Sequence, residues 1–237
     1  MMKKVWACSD LHGVKGFLDA IKEKIGENDV VYFLGDAADR GPDGWEMIKE
    51  ILADKRFIYI KGNHEDMLIK AYDDYFNDDG NDKDIQLWMW NGGQPTFNAM
   101  MADPEAEEIV GKLRELPIHT IYTNSSKELI LLSHAGQCPD ETPTYKEYIW
   151  DRTHFFTSWP KSEQYNDIFV VHGHTPVPHL VEELSFYEET LGSDEIEPGA
   201  LFYARGHKIC IDCGAVFTGI STLLNLDTFD EEIFCLN

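Results

Sequence analysis

No part of the chain offers the run of about 18 apolar residues that a membrane-spanning helix requires, so neither a span nor a membrane partner is expected. The opening Met1-Met2-Lys3-Lys4-Val5-Trp6-Ala7-Cys8-Ser9-Asp10 reaches an aspartate too soon to build the apolar region of a secretory signal, and a cytoplasmic protein is the expectation. Cysteine is sparse and odd in number, five residues at 8, 138, 210, 213 and 235, which argues against a disulfide framework. Cys210-Ile211-Asp212-Cys213 has CxxC spacing but no second pair, and it falls in a strand-like run; it reads as two strand cysteines rather than a zinc or redox pair. Positive charge is also scarce. Twenty Lys and Arg against 43 Asp and Glu leave a formal charge of -23, which lacks the basic footprint of a nucleic-acid partner. Such a surface is compatible with basic peptides, although solubility is the plainer reading, and a bound metal can reverse the sign locally. Repeats, low-complexity tracts and linkers are missing too, so one domain over residues 1–237 is expected. The sequence does not set the oligomeric state.

What is present is alternation. Val5 to Cys8, Val30 to Leu34 and Phe57 to Ile60 are apolar and short enough to be strands. Between and after them, Phe17, Leu18, Ile21 and Ile25, then Trp45, Ile48, Ile51 and Leu52, then Met67, Leu68, Ala71 and Tyr72, recur at helical spacing. Strand–helix alternation predicts βαβ units and a sheet with a parallel section. Asp73 to Asp84 reads as an acidic surface loop, Ile85 to Asn91 as a short helix ended by Asn91-Gly92-Gly93-Gln94-Pro95, and Ala106 to Leu116 as a helix stopped by Pro117. Further strands are expected at 118–123, 128–132, 168–171, 201–203, 208–212 and 220–226, with a short aromatic segment at 145–152 and an acidic excursion at 182–197. The expected fold class is α/β, an αββα sandwich of two mixed sheets flanked by helices.

Five strand ends carry polar groups that are poor core material: Asp10 and His12; Asp36, Asp39 and Arg40; Asn63 and His64; His134; His172 and His174. In open α/β sheets, function collects at the carboxyl ends of strands. Asp10 and His12 are two apart, so on an extended exit they would point to the same side. Carboxylate, imidazole and amide oxygen together suit a divalent transition ion such as Mn, Fe or Zn, and the two oxygens of Asp36 could bridge two ions. Any one of these histidines alone would be an ordinary structural residue.

Asp10-Leu11-His12-Gly13, Gly35-Asp36-Ala37-Ala38-Asp39-Arg40-Gly41, Gly62-Asn63-His64-Glu65, His134-Ala135-Gly136 and Gly173-His174-Thr175 resemble, in order, the motif set of the calcineurin-like metallophosphoesterase superfamily. The Asp-Arg-Gly and Asn-His-Glu versions resemble its phosphoprotein phosphatase branch, especially compact bacterial and phage-type serine/threonine phosphatases. Carried over residue by residue, the resemblance implies Asp10, His12 and Asp36 on one metal, and Asp36, Asn63, His134 and His174 on a second, with manganese the first choice and iron or zinc the alternatives. Pro176 stands where many relatives have a further histidine, so the first metal would have fewer protein ligands, as in the phosphatase branch. His172 is not a motif ligand and reads as a supporting residue.

The resemblance also implies the chemistry. Two ions about 3.5–4 Å apart acidify a water and neutralise the phosphoryl oxygens during in-line attack. His64 would protonate the departing alkoxide and Asp39 would hold its imidazole in the right tautomer. Arg40 would grip phosphate oxygens with its planar fork. Ile149-Trp150-Asp151-Arg152 resembles a Trp-x-Arg element of the small bacterial members, making Arg152 the second phosphate-binding candidate. Asn91-Gly92-Gly93-Gln94-Pro95-Thr96 resembles a loop found beside the site in such enzymes, while His119, His154, His179 and His207 match no motif. The leading reading is a serine/threonine protein phosphatase, whose partners would be phosphorylated proteins or small phosphoesters. The rival is symmetrical hydrolysis of diadenosine tetraphosphate, whose family commonly lacks an aspartate at the position of Asp39. An inactive scaffold of the same fold is the third possibility.

Overall fold

Val5, Trp6, Ala7 and Cys8 are all buried, yet they serve two different cores, and that division organises the architecture. The computed structural model of the chain describes residues 3–77, 82–136, 144–152, 168–185, 198–204 and 206–236. β1 (Val5–Cys8), β2 (Val30–Phe33) and β3 (Phe57–Tyr59) run parallel, and β9 (Ile220–Asn225) and β10 (Glu231–Cys235) extend the sheet antiparallel, in the order β10-β9-β1-β2-β3. The second sheet has the order β4-β5-β6-β8-β7, from β4 (His119–Thr123), β5 (Leu129–Ser133), β6 (Ile168–His172), β7 (Leu201–Tyr203) and β8 (Lys208–Cys210). Its central pairs β5–β6 and β6–β8 are parallel and its edge pairs antiparallel. Two mixed sheets flanked by helices is the αββα class that the sequence predicts.

Side chains alternate across a strand. Val5 and Ala7 therefore join Ile130, Leu132, Val171, Ile209 and Leu224 in a core to which both sheets contribute. Trp6 and Cys8 face the other way, with Val31 and Phe33, onto α1 (Lys15–Lys24), α2 (Gly44–Ala53) and α3 (Asn63–Asn77). A one-residue slip of β1 would exchange the two sets; each fully buried aliphatic side chain is worth about 1.5–3 kcal/mol, so the register is strongly fixed. On the outer face of the second sheet, Val177 and Leu180 of α8 (Val177–Ser185) pack with Tyr203 and Cys210.

Some expectations need correction. α3 runs to Asn77 rather than giving way to a loop at Asp73, and α4 (Lys83–Trp90) starts soon after, so only 78–82 of the expected loop lie outside the described helices. Its first turn carries two acidic residues, which suits a helix N-terminus. α5 (Gln94–Met101), with Pro95 in its first turn, was hidden behind the Gly-Gly break; Pro at such a position starts a helix as readily as it ends one. α6 (Ala106–Arg114) falls where expected, and the short aromatic segment, given no secondary structure from the sequence, forms α7 (Tyr145–Trp150). The acidic excursion begins inside α8, and its remainder, 186–197, lies outside the described residues, as do Cys138 and His154. Cys213 lies beyond β8 rather than within it; Cys210 and Cys213 are buried free thiols.

Candidate metal centre

The parallel strands bring their carboxyl ends to one place, and the exits of β1, β2 and β6 are bent by the same device. Among the described residues, nine that are not glycine have positive φ, and six of them are Asp10, His12, Asp36, Asp39, Arg40 and His174. A left-handed conformation costs a residue with a Cβ about 1–2 kcal/mol. The exits are therefore tight turns and not the extended runs expected from the spacing of Asp10 and His12; the turn, rather than a two-residue repeat, brings these two side chains together. Two loops touch backbone to backbone: at Gly35 (φ +91) an added Cβ would stand 2.5 Å from the Gly62 Cα. Asn63 and His64 form the first turn of α3.

Asp36 lies at the centre. Its Oδ2 is 3.4 Å from His134 Nε2, 3.6 Å from His12 Nε2 and 3.9 Å from His64 Nε2, and its Oδ1 accepts the His64 amide at 3.0 Å. Asn63 Oδ1 meets two imidazoles, His134 Nε2 at 2.8 Å and His174 Nδ1 at 2.9 Å. Asp10 stands beside them, with its Oδ1 3.9 Å from His12 Nε2 and its Oδ2 accepting the Ser9 hydroxyl and the His174 amide. The imidazoles are oriented from behind by backbone: His12 Nδ1 donates to the Ala38 carbonyl at 2.9 Å and His134 Nδ1 to the Leu34 carbonyl at 2.7 Å. Nε2 of each ring is thereby directed inward, the arrangement by which outer hydrogen bonds fix a metal-binding tautomer.

A second layer converges on His64. Its Nδ1 donates to Asp39 Oδ2 at 2.7 Å, and the same oxygen accepts the Trp88 indole N–H at 2.7 Å. The Asp39 amide donates to Thr96 Oγ1 at 2.9 Å. Arg40 reaches inward, donating to His12 Nε2 at 2.7 Å and to His64 Nε2 at 3.1 Å, while its backbone N–H holds the Gly92 carbonyl. Arg152 Nε donates to His174 Nε2 at 3.3 Å. Asp36, Arg40, Asn63, His64, Asn91, Trp150, Arg152 and His174 line a cavity of about 310 Å³.

Charge follows from burial and neighbours. Asp36 is fully buried, which opposes ionisation, but His134, His64 and His12 outweigh burial and hold its pKa well below the ordinary carboxylate range. Burial likewise opposes a charge on His134, yet Asp36 and Asp10 lift it to about 10. Burial pushes Asp10 up to about 6, against the pull of His134. His12 and His174 are kept neutral, first by burial and then by their charged neighbours. The donor set fits divalent cations. His12, Asp36 and His64 form one group and Asp36, His134 and His174 another, the ligand atoms of each lying within 4.8 Å of one another, and Asp36 belongs to both. Asn63 Oδ1, a pure acceptor, sits between two imidazoles of the second group, where a cation would satisfy all three.

Residues 3–210 match the model of the calcineurin-like phosphoesterases. The chain belongs to that family. Members use divalent metal ions, in keeping with the carboxylate and imidazole groups at the strand ends of this calcineurin-like phosphoesterase. Serine/threonine-protein phosphatase 2 of Escherichia coli (strain K12) is 27% identical over 137 residues, 56% of this chain and 58% of that protein. The symmetrical bis(5'-nucleosyl)-tetraphosphatase of Wigglesworthia glossinidia brevipalpis is 28% identical over 159 residues, 65% of this chain and 49% of that one. The chain thus spans about half the length of these curated relatives. The crystal structure of a metallophosphoesterase from Sphaerobacter thermophilus superposes with a TM-score of 0.57 at 16% identity, covering 99% of this chain and 88% of the other, which is a likeness of fold.

In this phosphoesterase all ten sequence candidates, Asp10, His12, Asp36, Asp39, Arg40, Asn63, His64, His134, Arg152 and His174, come together around one centre. His172 turns away, bonded through Nε2 to the Tyr203 hydroxyl at 2.7 Å and through Nδ1 to the Gly173 carbonyl, as a supporting residue should be. Sequence reasoning passed over three residues. Glu65 is fully buried and accepts five hydrogen bonds, from the amides of Asp36, Ala37, Ala38 and Gly62 and from the Tyr59 hydroxyl. It templates the loop that carries Asp36, and an acid next to Asn63 and His64 was its available signal. Trp88 and Thr96 hold Asp39; the helical spacing around Trp88 gave no sign of it, whereas Thr96 ends the 91–96 stretch that resembles a loop beside the site.

Proposed function

We propose that the chain is a metal-dependent phosphomonoesterase acting on phosphoserine or phosphothreonine in proteins. Asp10, His12 and Asp36 are assigned to one ion and Asp36, Asn63, His134 and His174 to a second, with manganese the first candidate. When bound, such a pair supplies an acidified nucleophilic water and neutralises phosphoryl charge. Arg40 and Arg152 enter the same cavity from different loops, so two guanidinium groups can orient one phosphoryl group. The His64 Nδ1–H bonds Asp39 and Nε2 faces that cavity, where it accepts from Arg40; with Arg40 turned onto the phosphoryl group, a protonated His64 can release its Nε2 proton to the departing serine or threonine oxygen. Asp39 stabilises the imidazolium that precedes this transfer.

The single observation that carries the reading is the 2.7 Å His64–Asp39 contact. An alkoxide is a poor leaving group and needs a proton, whereas a nucleotide phosphate departs without one; an acid held by a buried carboxylate is therefore matched to a monoester. Symmetrical diadenosine tetraphosphate hydrolysis is the second reading, supported by relatives of that name. An inactive scaffold is disfavoured because every candidate ligand and the candidate acid are present.

A panel of phosphoserine peptide, p-nitrophenyl phosphate and diadenosine tetraphosphate with Mn²⁺ tests the assignment. Turnover of both monoesters is expected. Efficient cleavage of the dinucleotide with negligible monoester turnover would replace the first reading with the second. Fewer than two ions per chain after loading, with no turnover, would leave the scaffold.

A further inference from the structure

α7 has six residues and is too short to be stable alone. Its sequence supplies a capping box, Thr144 with Glu147, but its place beside the cavity depends on tertiary anchors. Ile149 is fully buried, the Tyr148 carbonyl accepts the Ala135 amide at 2.8 Å, and His119 stacks on the Tyr148 ring with centroids 4.3 Å apart. These hold its middle. Its two end residues are held by one side chain, that of Asp66, which is 4% exposed. Asp66 Oδ1 accepts the Tyr145 hydroxyl at 2.8 Å, and Oδ2 accepts the Trp150 indole N–H at 3.3 Å together with Lys70 Nζ at 2.7 Å. Trp150 lines the cavity, and two residues further on so does Arg152, which reaches His174. Asp66 itself follows His64 by two residues in α3.

We propose that Asp66 is a positioning residue that clamps both ends of α7 and so sets where Trp150 and Arg152 enter the cavity. This rests on the reading of Arg152 as a phosphate ligand. Through this carboxylate, the helix that presents the acid and the segment that presents the second arginine form one rigid unit, and the spacing between acid and arginine follows from it. The plainer alternative is that Asp66 serves stability only, as a first-turn acid complementing the dipole of α3. The two differ in what happens to the folded protein. A stability role lowers the melting temperature and leaves phosphate affinity intact; a clamp changes affinity through Arg152.

The test measures inhibition by inorganic phosphate, and KM and kcat for p-nitrophenyl phosphate, in Asp66→Ala, Asp66→Asn, Arg152→Ala and the Asp66→Ala/Arg152→Ala double variant of the Mn²⁺-loaded protein. Asp66→Ala is expected to raise the phosphate inhibition constant and KM together by about tenfold, the scale of one charge-assisted hydrogen bond, while kcat moves little. Asp66→Asn keeps an acceptor for Tyr145 but presents a donor to the indole, and should fall between. The double variant should bind phosphate no worse than Arg152→Ala, because a clamp has nothing left to position. An equal multiplicative loss on the Arg152→Ala background, or unchanged inhibition in folded Asp66→Ala, would overturn the proposal. If Arg152→Ala alone leaves inhibition unchanged, the phosphate-ligand reading fails instead. Amide exchange over 145–150 then decides the clamp, with acceleration confined to those residues in Asp66→Ala supporting it and unaltered exchange sinking it. Should Asp66→Ala not fold, Tyr145→Phe removes one arm and is read by the same measurements.

Discussion

Trp88 and His64 meet on a single oxygen: both donate to Asp39 Oδ2 at 2.7 Å, one from α4 and the other from the first turn of α3. The indole fixes the carboxylate, and the carboxylate fixes the imidazole. Among the described residues, buried Asp39 Oδ1 has no hydrogen-bond partner, so none of them competes for the orientation that the other oxygen dictates.

That chain of contacts predicts graded losses. His64→Asn should lose about 10²–10⁴-fold in kcat on a phosphoserine peptide while retaining its metals, because the acid is removed and the proposed ligands stay. The loss should be much smaller on p-nitrophenyl phosphate, whose leaving group needs little protonation. Trp88→Phe, which removes the N–H together with part of a fully buried ring, should show the same leaving-group dependence at a smaller scale, with some loss of stability. Steady-state kinetics on the two substrates with metal analysis check this; a near-normal rate of His64→Asn on the peptide would refute the acid assignment.

Arg40 donates to both His12 and His64 and lines the cavity, so its fork is already directed at the centre. Arg40→Ala should weaken phosphate inhibition about tenfold or more, on the scale of a lost charged hydrogen bond. Unchanged inhibition by free phosphate would count against its role.

Metal affinity should rise with pH. Burial raises Asp10 to about 6, and Asp36 and Asp10 overcome burial to raise His134 to about 10. Both must be deprotonated to ligate. Two protons therefore compete below pH 6, one between pH 6 and 10, and none above. At pH 8, Mn²⁺ binding should release roughly one proton per chain, from His134. Calorimetry in buffers of unlike ionisation enthalpy measures it, and a buffer-independent heat would contradict the assignment of His134 as a ligand.

Glu65 predicts a stability effect with no ligand involved. Replacing it by leucine would strand four amides and a hydroxyl in the interior, at a cost of about 3–5 kcal/mol. Denaturant unfolding should show the midpoint falling accordingly. Glu65→Gln, with a single acceptor oxygen in place of two, should lose less but still measurably; wild-type stability for both variants would mean the loop around Asp36 is held by other contacts.

How much was legible depended on whether a residue's role is carried by type or by approach. Strands β1, β2 and β3 announce themselves by apolar composition, and the groups at their ends are polar where a core is not, so the centre could be read from position. Asp36, Asn63 and His134 needed no geometry to be noticed. Trp88 and Asp66 act through contacts made 49 and up to 84 residues away in sequence, and no local pattern encodes such meetings; Thr96, 57 residues from Asp39, was marked only as the end of a loop. The helix α5 was missed because a Gly-Gly-Gln-Pro run looks like an ending when only one side of it is considered. β10 was missed because Glu231 and Glu232 look like surface loop; an antiparallel strand on a sheet edge tolerates charge.

The six left-handed residues at the strand exits set a trade between durability and chemistry. Glycine at Asp36 or Asp39 would relieve backbone strain of about 1 kcal/mol that alanine cannot relieve. A glycine series through these positions should therefore melt higher than the matching alanine series while being equally inert. Selection for heat resistance alone would erode this centre from its turns inward, which marks the exits as places where thermostabilising designs must be held fixed.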